Sequence, residues 1–258
     1  MGHVQTELKA DVLRITIDRP EKKNALTTAM YTGLADAVEQ GEANPDVRVL
    51  LLHGNGDSFT AGNDLEDFVA NQWKGQGQAV PPALRFIAAV AAAKKPIVAA
   101  VHGMAVGIGV TILLHCDLVY AADNATLVMP FVNLGIVPEA GSTVLLPALV
   151  GHQRAAELLM LAAPVTAQRA YELGFVNAVV APGALLPTAL GAAQQLAEKP
   201  AAALRATKAL LRKAGQGELE RAMREEVQAI TERLESPETR EALAAFLEKR
   251  KPNFAQFR

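Results

Sequence analysis

Cysteine is almost missing from this chain: Cys116 stands alone, so no disulfide can form within it. A single thiol fits a reducing setting, and we expect a cytoplasmic protein. Cys116 ends the apolar run Ile112–Cys116, which favours a buried, inert thiol. Metal ligation also has little to build on, because no His-x-x-x-His or Cys-x-x-Cys pair occurs; no metal is expected. Charge of one sign is not in excess either. Lys+Arg 25 against Asp+Glu 27 leaves a formal net charge of −2, which gives no footing for a nucleic-acid or anionic-membrane partner. An anionic ligand would have to meet a local basic cluster. The opening Met1-Gly-His-Val-Gln-Thr-Glu-Leu-Lys lacks the apolar stretch of a signal peptide.

One long apolar run does occur, Ile97 to Leu114, and its Gly103 and Gly107 even spell Gly-x-x-x-Gly. Three glycines and His102 argue against a membrane helix. A buried strand, a glycine turn and a buried helix is the better reading.

What the chain does have is apolar content: half of its 258 residues are hydrophobic, enough for one sizeable core with a helical appendage. Alternating runs at Val4–Leu8 and Val12–Ile17 predict a hairpin turning at Ala10-Asp11. Thr27 or Thr28 can cap a helix to about Ala43, and Val47–His53 reads as a strand buried on both faces. Trp73–Pro82, rich in glycine and proline, reads as mobile, and Leu84–Ala93 as helical. Strand Ile97–Val101, helix Gly107–Cys116, strand Leu118–Ala121 and strand Thr126–Met129 follow, which predicts an α/β fold with mostly parallel pairing. From about Ala192 the pattern is helical, with Leu219, Met223, Val227, Ile230 and Leu234 on one face and Ser236-Pro-Glu opening a last helix. We therefore expect a core over residues 1–191 and a helical region over 192–258 that packs on the core and on neighbouring subunits.

Two glycine-rich turns carry the chemical interest: Phe59-Thr-Ala-Gly-Asn-Asp-Leu65 and His102-Gly-Met-Ala-Val-Gly-Ile-Gly109. Each follows a predicted strand. Glycine lets the main chain approach a ligand, and free N–H groups at a helix start can hold an oxyanion. Taken alone, such turns are more often simply tight corners of a packed sheet. A dinucleotide site is disfavoured, since Ile112 stands where the third glycine belongs and the loop lies mid-chain.

Phe59–Leu65, Lys95-Pro-Ile-Val-Ala-Ala-Val-His-Gly103, Cys116-Asp-Leu-Val-Tyr-Ala121 and Asn133-Leu-Gly-Ile-Val-Pro138 together resemble the enoyl-CoA hydratase/isomerase (crotonase) superfamily. Asp18-Arg-Pro-Glu-Lys-Lys-Asn-Ala-Leu26 and Ala244-Ala-Phe-Leu-Glu-Lys-Arg-Lys-Pro252 match it as well, so the resemblance spans nearly the whole chain. It implies a spiral of β-β-α units, a homotrimer or dimer of trimers, and an acyl-CoA thioester substrate, with no cofactor beyond the coenzyme A of the substrate. It also implies an oxyanion hole from the main-chain N–H groups of Asn63 and Ile108. The segment Ala61, Gly62, Asp64, Leu65 would line the thioester and pantetheine end, with Gly107 and Phe131 beside it. Lys22 and Lys23 would lie near the CoA phosphates, or else be plain solvated loop lysines.

Departures from the family pattern narrow the reading. Family hydratases carry two glutamates where this chain has Thr111 and Phe131, and neither can activate water. Glu139, in Pro138-Glu-Ala-Gly-Ser142, instead resembles the base of the monofunctional Δ3,Δ2-enoyl-CoA isomerases. That resemblance implies that Glu139 moves a proton from C2 to C4 while the amides hold the enolate, a step in fatty-acid β-oxidation. An apolar surround from Phe131 and Val137 would make it a better base. As a bare pattern, Glu139 could equally decorate the helix start at Gly141–Val150. Asp117 is expected to be structural, Asp64 to form its turn, and the scattered histidines to be structural too. The competing readings are an enoyl-CoA hydratase or other crotonase reaction, and a crotonase-fold module that binds CoA or a protein without catalysis.

Overall fold

The computed structural model describes residues 2–70 and 80–257. Strands β1 (Val4–Lys9) and β2 (Val12–Ile17) pair antiparallel, with Lys9 opposite Val12. Ala10 and Asp11 make the turn at φ 47° and 63°, the left-handed pair that a two-residue hairpin needs. Thr27 caps α1 (Thr28–Ala43), its hydroxyl accepting the Met30 N–H at 3.3 Å. β3 (Val49–Gly54) follows, then the short α2 (Leu65–Ala70) and α3 (Pro82–Ala92), with proline at its first position. Most of the Trp73–Pro82 stretch, expected to be mobile, lies outside the described residues.

The apolar run from Ile97 is divided as its glycines suggest, into β4 (Ile97–Val101), β5 (Met104–Val106) and α4 (Ile108–Thr111). The helix expected over Gly107–Cys116 is α-helical for one turn only and continues as 3₁₀ over Ile112–His115. Among the described residues no helix is long and apolar enough to cross a membrane. β6 (Leu118–Ala122), β7 (Thr126–Val128), α5 (Ser142–Val150), α6 (His152–Ala156), β8 (Val165–Thr166), α7 (Ala167–Glu172) and β9 (Ala178–Val180) complete the core. Then come α8 (Pro182–Ala197), α9 (Ala201–Lys213), α10 (Gln216–Leu234) and α11 (Pro237–Leu247), the last capped by Ser236 as expected.

Among the described residues one sheet runs β1-β2-β3-β4-β6-β9, parallel after its first pair, and a smaller one runs β5-β7-β8. The chain alternates between them, β4 to β5 and β6 to β7, which gives the spiral of β-β-α units. Alternating residues of β3 explain its continuous apolar run. Leu50 and Leu52 join the core with Leu34 and Val38 of α1 and Phe86 and Val90 of α3. Val49 and Leu51 face the other way, onto Leu185, Ala189 and Ala193 of α8. The expected boundary at residue 191 falls inside α8, which covers this second face of the sheet.

The later helices are tied back to the core by polar contacts. Lys208 of α9, buried, donates to Lys95 O and to Asp117 Oδ2, both at 2.7 Å. Asp117 Oδ2 also accepts the Ile97 N–H at 2.8 Å, so it clamps the start of β4. Arg233 of α10 and Thr239 of α11 both donate to Gly135 O at 3.0 Å.

Candidate active site

The two glycine turns meet across one parallel bridge. Thr60 pairs with Ala105: the Thr60 N–H donates to Met104 O and the Val106 N–H to Thr60 O, each at 3.0 Å. Parallel register places the third residue beyond each partner, Asn63 and Ile108, toward the same end. Gly62, at φ 84°, is the residue that permits this approach, because a Cβ there would come within 2.8 Å of Val106 O. A second bridge fixes the direction of the Asn63 amide. Gly62 O accepts the Leu26 N–H at 2.7 Å and the Asp64 N–H donates to Leu26 O at 2.9 Å. Asn63's own N–H therefore faces away from Leu26. Among the described residues, neither it nor the Ile108 N–H has a protein acceptor.

A cavity of about 560 Å³ opens at this place. Of the residues singled out by sequence, Lys22, Ala61, Gly62, Asn63, Asp64, Leu65, Gly107, Ile108, Phe131 and Glu139 all line it. Lys23 does not. It closes the 3₁₀ turn Pro20–Lys22 in left-handed conformation at φ 50°, and its ammonium sits 4.0 Å from Met104 Sδ. Phe246 and Leu247 of α11, more than half exposed, supply the outer wall with Arg250. The last helix thus shapes the cavity of its own chain.

Glu139 lies between Phe131 and α5, and burial, aided by the negative charge of Glu226, lifts its carboxyl to about 7. Among the described residues its carboxylate has no hydrogen-bond or ion-pair partner. It does not decorate the start of α5 as a bare pattern would allow. That place belongs to Glu226 of α10, which accepts from the Gly141 N–H at 2.6 Å and the Thr143 N–H at 3.0 Å. Asp64 is employed otherwise: Arg19 binds one oxygen at 2.6 Å and the Asp67 N–H the other at 3.0 Å. Burial alone would raise the Asp64 carboxyl, but these donors outweigh it and hold it below its ordinary value. Thr111 is fully buried, its hydroxyl without a partner among the described residues, and does not line the cavity; Phe131 does, closing over Gly107.

Two neighbours were not foreseen. Tyr31 of α1, buried, donates its hydroxyl to the Asn63 side-chain oxygen. Burial and the nearby Glu139 charge both push its phenol well above the ordinary value, so it stays a donor. Asn24, fully buried at φ 57°, donates to Asn55 O at 2.8 Å and Ser58 O at 2.7 Å and so braces the first glycine turn. Asn's tolerance of the left-handed region was the one available signal. Cys116, expected to be buried, is only half-buried, and desolvation still pushes its thiol up to about 12. No cluster of His, Cys, Asp or Glu able to hold a metal ion occurs among the described residues.

Fold and cavity define an α/β protein with two main-chain N–H groups, free of acceptors among the described residues, on residues that line one cavity. The family model described as enoyl-CoA hydratase/isomerase matches residues 7–257, and the chain belongs to that family. It is 38% identical to the crotonyl-CoA hydratase of Syntrophomonas wolfei over 92% of both chains. It is 34% identical to enoyl-CoA delta isomerase 2 of Rattus norvegicus, across 93% of this chain and 62% of the rat protein. A crystal structure of an enoyl-CoA hydratase/isomerase from Pseudoalteromonas atlantica T6c superposes with TM-score 0.92, at 39% identity over 98% of this chain and 100% of the other.

Proposed function

We propose that this protein is a Δ3,Δ2-enoyl-CoA isomerase of fatty-acid β-oxidation. The observation that carries the reading is Glu139: one half-buried carboxyl, free of partners among the described residues, raised to about 7 on the wall of the cavity. Isomerisation requires no added water. Glu139 takes a proton from C2 of a 3-enoyl-CoA, the electron pair moves onto the thioester oxygen, and the Asn63 and Ile108 N–H groups stabilise that charge. Each such donor contributes on the order of 3 kcal/mol to the transition state. The enolate then collapses, the double bond shifts to C2–C3, and the same carboxyl returns the proton to C4. Protons and electrons balance with one residue acting twice.

Support for isomerase over hydratase comes from the hydratase positions, where Thr111 and Phe131 offer no carboxyl, and from the likeness to the rat delta isomerase. Hydration has its own support in the likeness to a crotonyl-CoA hydratase. Lys22 at the cavity edge suits the CoA phosphates. Association into a trimer is part of the reading, and the exposed Met160, Leu161, Leu210 and Leu211 offer apolar surface for it.

The test is a substrate pair, 3-hexenoyl-CoA and crotonyl-CoA, followed by the gain and the loss of the conjugated-enoyl absorbance. We expect conversion of the first to exceed hydration of the second. Faster hydration would make the protein a hydratase, and inertness toward both would leave a binding module.

A further inference from the structure

The turn that carries Glu139 has one main-chain bond of its own, the Ser142 N–H donating to Glu139 O at 3.1 Å, and is otherwise fastened from elsewhere in the chain. Ala140 and Gly141 follow at φ 60° and 69°, two successive left-handed conformations, the first at a residue that has a Cβ. Gly141 cannot be replaced cheaply, since φ 69° strains any residue with a Cβ, and Leu219 would also have to turn away from it. Two buried side chains from distant segments fasten this pair. His115 Nε2 lies 2.7 Å from Ala140 O. Burial drives His115 down to about 4, so near neutral pH it is the neutral ring and donates from Nε2. Glu226, 85 residues further along the chain and 5% exposed, accepts the Gly141 N–H at 2.6 Å. Its other oxygen accepts the Thr143 N–H at 3.0 Å and the Thr143 hydroxyl at 2.6 Å.

A helix start can be capped by an exposed Ser or Asp of its own segment with no burial of charge. Here a glutamate is carried in on another helix and buried with three neutral donors, and no salt bridge to it exists among the described residues. Glu226 and Glu139 also share the wall of a second cavity of about 310 Å³, apolar through Leu84, Ile87, Met223 and Val227. We propose that Glu226 is the positioning residue of the Glu139 base: its bonds to Gly141 and Thr143 fix the turn and helix start that follow Glu139, and its carboxylate, without a salt bridge among the described residues, shares the second cavity with Glu139. This rests on Glu139 being the base.

Other charged and titratable groups bear less on Glu139. Tyr31 approaches from α1 and stays neutral, and His115 is neutral behind Ala140. Arg224 shares the second cavity without an ion pair to either glutamate. On the main-cavity side stand Lys22, Glu66, Asp64 tied to Arg19, and Arg250 tied to Glu241 and Glu248. Glu226 is the charge that acts on Glu139.

The test is the pH dependence of kcat/KM and kcat on 3-hexenoyl-CoA for the full-length protein and four variants. Glu226→Gln keeps the size, removes the charge and gives up the Gly141 bond. We expect kcat to fall on the order of tenfold with KM nearly unchanged, as for loss of an outer partner of a catalytic group. The acid limb should also move roughly one pH unit lower, because a like charge has gone. Thr143→Val removes one hydrogen bond but leaves both charges, so its limb should not move. Ala140→Gly added to Glu226→Gln relaxes the turn; it should recover part of the kcat and leave the limb displaced. Should Glu226→Gln alone fail to fold, this double variant is measured in its place with the same expected limb. An unmoved limb, or a limb that moves equally in Thr143→Val, overturns the proposal. Glu139→Gln separates the two levels. If it stays active, the base itself is misassigned; if it is dead while the Glu226 variant keeps the wild-type limb, this inference alone fails.

Discussion

Replacing Glu139 by Gln should make the protein more stable at alkaline pH while leaving it unchanged in acid. The Glu139 carboxyl is lifted from an ordinary 4.5 to about 7 in the folded state, so the fold holds that proton more tightly than the unfolded chain does. Between those values the native state binds more protons, and stability falls as pH rises. Glu139 contributes no penalty below 4.5, and its whole penalty is in force above about 7. At about 1.4 kcal/mol for each pH unit, the loss is about 3 kcal/mol. The side chain is partly exposed toward the cavity, so solvent screening makes this an upper figure. Gln has nearly the same shape and no charge, so it removes the penalty and also relieves Glu226. Urea melts at fixed protein concentration, run at pH 5 and pH 8.5, give the comparison. The variant should gain roughly 2–3 kcal/mol over the wild type at pH 8.5 and a small fraction of that at pH 5. Equal stabilities at both pH values would mean that the carboxyl is not desolvated, and the reasoning about the base would fail.

Three other outcomes follow from the geometry. Tyr31→Phe removes the hydroxyl that holds the Asn63 side chain, which should lower kcat on 3-hexenoyl-CoA roughly ten- to a hundredfold with little change in KM; steady-state kinetics check it. Asp117→Ala leaves the buried Lys208 ammonium with Lys95 O alone and frees the Ile97 N–H, so it should destabilise by about 2–3 kcal/mol in urea melts, with the active-site pH profile unmoved. Gly103→Ala puts a Cβ 1.9 Å from Asp57 O at φ 54°, and should lower the melting temperature by ten degrees or more or abolish soluble expression, on the order of 3 kcal/mol or above.

Much of the frame was readable because local chemistry and tertiary environment agree. The left-handed Ala10-Asp11 turn, the Thr27 and Ser236 caps and the unbroken apolar β3 each carry their structural reason in a few adjacent residues. α8 was harder: Pro182, Gly183, Pro187 and a series of alanines blur its pattern, and its small residues make sense only against the sheet face they cover. Within the site, Glu139 and both glycine turns were marked by position. Lys22 and Lys23 looked alike until the left-handed turn at Lys23 separated them. Tyr31 reads on its own as one more apolar face residue of α1, and only its hydroxyl contact with Asn63 sets it apart. Glu226 was illegible for a simpler reason. It stands on a helix whose exposed face carries Glu218, Glu220, Glu225 and Glu232, and nothing local marks which glutamate points inward.

The most direct measurement is single-turnover conversion of 3-hexenoyl-CoA by wild type and Glu139→Gln, both shown folded by the melts above. A carboxyl that carries the proton both ways should, when lost, slow the reaction about a hundred- to ten-thousandfold, with the CoA ester still bound. A variant that turns over at the wild-type rate would contradict the central claim that Glu139 is the base.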